Sequence, residues 1–213
     1  MKAQHWKVYM IHMTRGERGN PMKKPDEYSR QLESEMKRCA EALGAECIWM
    51  GYLAGQIPED RIAVRDLCDL FRKIKADAVI THWQGSYHPR HVQTCRAVTQ
   101  AVFRMPDESY RTGAGPYALP NLWFGENMED EEGFVPEFYL DSTDVYEKWF
   151  EALKAYQLFR EGVTGFPYQS FYAANTRLRG VDIGVKYAKA LMHRKALIGD
   201  LSIRTFEVRL SEY

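Results

Sequence analysis

Excess charge of either sign is missing from this sequence: 29 basic residues face 29 acidic ones over 213 positions. A protein that grips nucleic acid or an anionic membrane surface carries a basic patch, so neither partner is expected. No apolar stretch approaches bilayer length, and the first residues lack a basic-then-apolar leader pattern. The four cysteines, Cys39, Cys47, Cys68 and Cys95, have no short paired spacing, and three of them fall inside helical patterns as small buried thiols. Those absences lead us to expect a reduced, cytoplasmic protein. No glycine-rich phosphate fingerprint follows any strand pattern, which disfavours a nucleotide-binding domain. Internal repeats and low-complexity tracts are lacking too, and the length suits a single α/β domain over 1–213.

What is present alternates. Trp6 to Met13 reads as a strand, Asp26 to Leu43 as a helix stopped by Gly44, and Glu46 to Met50 as a second strand. Asp60 to Lys75 is a helix with Ile62, Leu67, Leu70, Phe71 and Ile74 on its buried side, and Ala78-Val79-Ile80 is a short run of the kind that fills a strand buried on both faces. Three strand–helix alternations in about a hundred residues predict a mostly parallel sheet covered by helices, a three-layer α/β/α sandwich of Rossmann-like type with strands at 6–13, 46–50 and 77–82. Residues 105–119 read as a loop. Short strands at Asn121–Gly125 and Glu137–Leu140 flank an acidic loop, Glu126 to Gly133. A helix is expected from Asp141 through Tyr156, a longer one from Tyr168 to Met192, and an edge strand from Leu201 to Leu210.

Between the Ala78–Ile80 strand and the helix that begins near Val92 lie His82, His88 and His91. Ligands in open α/β sheets bind just past the carboxyl ends of strands. Pro89 suits the first turn of a helix, which puts His88 at the cap and His91 about one turn on. Two such imidazoles can ligate zinc or face a developing negative charge; they can equally be helix-start residues bonded to backbone or solvent. His82 reads as a hydrogen-bonded core or supporting residue. Trp83, Trp123 and Trp149 read as packing, and Asp141 as a helix cap.

Several separated segments together resemble the LmbE-like or PIG-L-like zinc-dependent N-deacetylases. The loop Thr14-Arg15-Gly16-Glu17-x-Gly19 is similar to the family's Thr-x-Gly-Glu-x-Gly turn, and Glu35 through Leu43-Gly44 to its next helix. His88-Pro89-x-His91 after a strand resembles its second metal motif. Phe134-x-Pro136-x-x-Tyr139-x-Asp141-x-Thr143 and Arg179-Gly180-x-x-x-Gly184-x-x-Tyr187-Ala188 resemble its C-terminal signatures.

The resemblance implies a hydrolase that removes an N-acetyl group from an amino sugar such as N-acetylglucosamine, or from a related glycoconjugate. It implies His91 as a zinc ligand, His88 as the catalytic imidazole facing the tetrahedral intermediate, and Arg15 and Glu17 on the substrate side. The zinc would lower the pKa of the attacking water and polarise the amide carbonyl. The family's Ala-His-Pro-Asp-Asp type motif, source of two further ligands and the base, has no counterpart, and no aspartate precedes Asp26. Two of three expected ligands are therefore lacking. The expectation is an N-terminally truncated deacetylase domain, inactive as given. The alternative is a non-catalytic binding or scaffold protein with the same fold. Oligomeric state is open, a homo-oligomer included.

Overall fold

The computed structural model describes residues 6–58, 61–160 and 163–193. The chain divides into two units, each assembled from separated segments. Among the described residues, one comprises those within 58–138 and 190–193, the other those within 6–57 and 139–189.

In the second of these, β1 (Tyr9–Thr14) and β2 (Glu46–Tyr52) run parallel, with Tyr9 opposite Glu46 and His12 opposite Trp49. Between them runs α1 (Pro25–Leu43). Its apolar residues recur at Tyr28, Leu32, Met36, Cys39 and Ala40, all buried, and the first three make a core with Cys47 and Tyr156. Gly44 ends the helix in the left-handed region (φ 72°), its N–H returned to the last-turn carbonyls, a conformation that costs glycine little.

The other unit holds α2 (Arg61–Ile74), β3 (Ala78–Thr81), α3 (Pro89–Arg104) and β4 (Asn121–Gly125). Ala63, Val64, Leu67, Cys68 and Phe71 of α2 are buried, as are Cys95, Ala97, Val98, Ala101 and Val102 of α3, and the two helices pack together; Ile62 of α2 and Ile80 of β3, both expected inside, are exposed. β3 is parallel to β4, and β4 is antiparallel to β6 (Ala188–His193). With β5 (Phe138–Asp141) the order is β3-β4-β6-β5, and the division between the units falls inside β5 and β6.

The α/β class and its parallel pairings agree with the sequence, with differences of detail. The hydrogen-bonded parallel neighbour of β3 is β4, while β1 and β2 form their own pair. The helix expected from Asp141 to Tyr156 is a 3-10 turn at Thr143–Val145 followed by α4 (Tyr146–Leu153). The helix expected to reach Met192 stops at Ile183, as α5 (Tyr168–Ile183), and 188–193 is strand β6. Gly184 takes a left-handed φ of 77° and returns its N–H to helix carbonyls. A side chain at Gly180 would meet the carbonyl oxygens of Val185 and Lys186 at 2.7 Å, so the chain can fold back over that glycine. The apolar run Ala188, Ala190, Leu191, Met192 suits a buried strand as well as a helix, so spacing alone did not separate them. The edge strand expected at 201–210 lies outside the described residues.

Candidate active site

The site is built where β3 gives way to α3. His88 is the N-cap of α3, its Nδ1 accepting from the Arg90 N–H at 3.3 Å, and Pro89 occupies the first helical position. His91 follows one turn later. Its ring stacks on His82 at 3.9 Å between centroids and 5° between planes, and on His88 at 4.5 Å and 18°. Burial drives the His91 pKa down to about 3, with His82 and His88 adding repulsion, and burial followed by His88 takes His82 down to about 4. His91 therefore stays neutral at ordinary pH, the form a ligand needs.

The acidic loop joins the histidines through backbone contacts. Gly85 O accepts the N–H groups of Glu131 and Glu132, Tyr87 N–H donates to Glu129 O at 2.9 Å, and Ser86 forms an isolated bridge with Asp130. Trp83 Nε1 donates to Glu132 O at 2.6 Å. This brings Glu129 Oε2 to 2.7 Å from His91 Nδ1, with Asn127 Nδ2 and Ser86 Oγ at 3.4 and 3.5 Å from the same nitrogen. Burial raises the Glu129 carboxyl, opposed by His88. Asp130 is pushed up to about 6, by burial first and then by Glu126 and Glu129, against the Asn127 N–H. Among the described residues, His88, His91 and Glu129 each present a ligand atom within 4.8 Å of the others.

Gly85 has no room for a side chain: a Cβ there would stand 1.9 Å from Glu132 O. Gly85→Ala is therefore expected to push the acidic loop off the histidine loop, at a cost of about 1–3 kcal/mol. It should also move Glu129 away from His91. Chemical denaturation checks the first effect, and His91 imidazole chemical shifts check the second; an unchanged midpoint and unchanged shifts would refute both.

The substrate-side residues expected from the sequence lie in the other unit. Arg15 stacks its guanidinium over Trp49, 3.0 Å from the ring centroid, donates to Ser29 Oγ and pairs with Glu33 at 2.9 Å. Glu17 is buried and accepts the Ala54 N–H at 2.6 Å. Neither of these contacts joins Arg15 to Glu17. Trp83 packs edge-on to Phe124, Trp123 against Phe138, and Trp149 against Tyr172, in keeping with packing roles. Asp141 accepts the Thr143 N–H, a local cap. The sequence reading missed Glu129, Ser86 and Asn127. The only signal was the density of acids in 126–133, a pattern more often solvated than inward-facing.

Known structures share this fold. The 4-carboxy-2-hydroxymuconate hydratase GalB of Pseudomonas putida KT2440 superposes with a TM-score of 0.75 at 18% identity, covering 92% of this chain and 88% of that one. The conserved protein TT1542 of Thermus thermophilus gives 0.77 at 20% identity, over 93% and 86%. The N,N'-diacetylchitobiose deacetylase of Pyrococcus horikoshii gives 0.72 at 18%, over 93% and 77%. At these identities the likeness is one of fold, and a hydratase beside a deacetylase shows that the fold admits more than one reaction. Residues 1–102, which include His88 and His91, match the family model described as PIG-L: GlcNAc-PI de-N-acetylase. The resemblance read from the motifs holds: the chain is PIG-L-like over residues 1–102 and shares its α/β fold with these structures, a deacetylase among them.

Proposed function

We propose that this protein is a metal-dependent hydrolase of the N-deacetylase type, acting on an N-acetylated amino sugar or a related N-acyl compound. The observation that carries this reading is the imidazole stack with His91 at its centre, neutral, half-buried and flanked by a carboxylate.

The neutral His91 imidazole, backed by the Glu129 carboxylate at 2.7 Å and with His88 beside it, suits the donor chemistry of a divalent zinc ion. Bound there, the ion would supply Lewis acidity towards the acyl carbonyl and the attacking water. His91 is assigned as its ligand. His88 takes the second role. Because its Nδ1 accepts from the Arg90 N–H, the neutral ring carries its proton on Nε2, where it can donate to the oxygen that gains charge or pass a proton to the leaving amine. Arg15 and Glu17 belong to the other unit, where Arg15 pairs with Glu33 and Glu17 braces the loop through Ala54. No described helix is long and apolar enough to cross a membrane. The four thiols are unbridged, in keeping with work in a reducing cytoplasm.

With the Nδ1 atoms of His88 and His91 already engaged, one imidazole nitrogen does most of the holding. Zinc titration of the metal-free 213-residue chain is expected to show a weak site, and acetate release from an N-acetylglucosamine conjugate is expected to be slight and to need excess zinc. A tight stoichiometric site would show that His88 or Glu129 also turns onto the ion. Absence of any chelator-sensitive acetate release at saturating zinc would leave the scaffold reading standing.

A further inference from the structure

We propose that Glu129 is a positioning residue for His91: its carboxylate holds the single ring proton on Nδ1 and leaves the Nε2 lone pair to face the metal. This deepens the reading above and rests on it only for the ion itself, since the tautomer exists without one.

Three observations converge. Glu129 is 9% exposed, and its Oε2 is buried with no aligned donor. A carboxylate oxygen left so is costly, about 1–3 kcal/mol or more for a charged group. His91 Nδ1 stands 2.7 Å from it, the separation of a charge-assisted N–H···O contact. If Nδ1 carried a lone pair, two lone pairs would face each other at that distance and both groups would lose. With the proton on Nδ1, a small turn of the ring or the carboxylate aligns the bond.

The other neighbours of Nδ1 cannot set the tautomer as firmly. Asn127 Nδ2 at 3.4 Å and Ser86 Oγ at 3.5 Å are long contacts, and Ser86 Oγ already accepts the His88 N–H at 3.2 Å. Finally, Glu129 is placed by its own backbone. Its carbonyl accepts the Tyr87 N–H, and the next residue bridges Ser86, so the acidic loop that carries the carboxylate is held by the loop that leads into His88. Carboxylates that orient a ligating imidazole in this way are worth about 10–100-fold in metal affinity when removed.

The test is nitrogen-15 NMR of the histidine side chains in the metal-free 213-residue chain at neutral pH, for wild type, Glu129→Gln and Glu129→Ala. Circular dichroism checks that each variant is folded. Wild-type His91 is expected as the Nδ1–H tautomer, and Glu129→Ala should shift it to the Nε2–H form that isolated imidazoles favour. Glu129→Gln keeps an acceptor of the same shape, so it should retain most of the Nδ1–H form and remains informative if the alanine variant does not fold. Zinc affinity should fall roughly 10–100-fold in Glu129→Ala and less in Glu129→Gln.

A wild-type His91 protonated on Nε2, or a tautomer indifferent to both substitutions, overturns the proposal. So does loss of zinc in Glu129→Gln as complete as in His91→Ala, which would make Glu129 a direct ligand. A Glu129-dependent tautomer in a protein that releases no acetate leaves this inference intact and removes the deacetylase reading instead.

Discussion

His91→Ala is expected to abolish metal binding and hydrolysis together, whereas His88→Ala should keep the metal and lose the rate. The two rings stack at 4.5 Å at the start of one helix, yet their nitrogens are engaged differently. His91 is the neutral ring at the centre of the stack, with a carboxylate at Nδ1, so its remaining lone pair is the one suited to an ion. His88 is tied at Nδ1 to the helix start and offers a donor. A donor that meets charge arising only in the transition state contributes little to binding the substrate and much to the barrier. The expected loss for His88→Ala is about two to three orders of magnitude in kcat, with KM and metal content nearly unchanged. Metal analysis and steady-state kinetics on an N-acetyl amino sugar, run in zinc excess, read both. If neither substitution moves either quantity, both histidines are structural caps and the scaffold reading prevails.

The second large effect is expected far from the histidines. Arg72, on the buried face of α2 and 4% exposed, donates to the carbonyls of Arg104 and Met105 at the end of α3 and to those of Asp107, Tyr110 and Ala114, and also reaches Thr112 Oγ1. Its charge is satisfied by these carbonyl dipoles, several of which also accept from a second donor: Arg104 O from the Asp107 N–H, Met105 O from the Tyr117 N–H, Asp107 O from the Tyr110 N–H and Ala114 O from Thr112 Oγ1. Arg72→Leu removes this whole set of charge-assisted hydrogen bonds at once, so a loss on the order of 3–5 kcal/mol is expected. Arg72→Lys should recover little, because a single ammonium cannot span acceptors that a planar guanidinium reaches in several directions. Urea unfolding of both variants decides it. A destabilisation below about 1 kcal/mol for the leucine variant would mean that the 105–119 loop holds its shape without Arg72.

Much of the fold was legible because it rests on local patterns. Helical spacing with a following glycine located α1, and Pro89 preceded by a polar residue located the start of α3 with His88 as its cap. Those signals are short-range: a cap, a stop and an amphipathic period need only neighbouring residues. The pairing of β3 with β4 was not readable, nor was the turn from helix α5 into strand β6. An apolar run such as 188–192 satisfies either element until a partner strand is available to choose. The same limit applied to the site. The sequence by itself determined where two imidazoles would stand, since chain connectivity spaces them one turn apart at a helix start. Which groups would surround them was decided only by tertiary structure. Glu129 lies 38 positions beyond His91, and it arrives because Gly85 lets the acidic loop close onto the histidine loop, a long-range backbone contact that no local pattern announces.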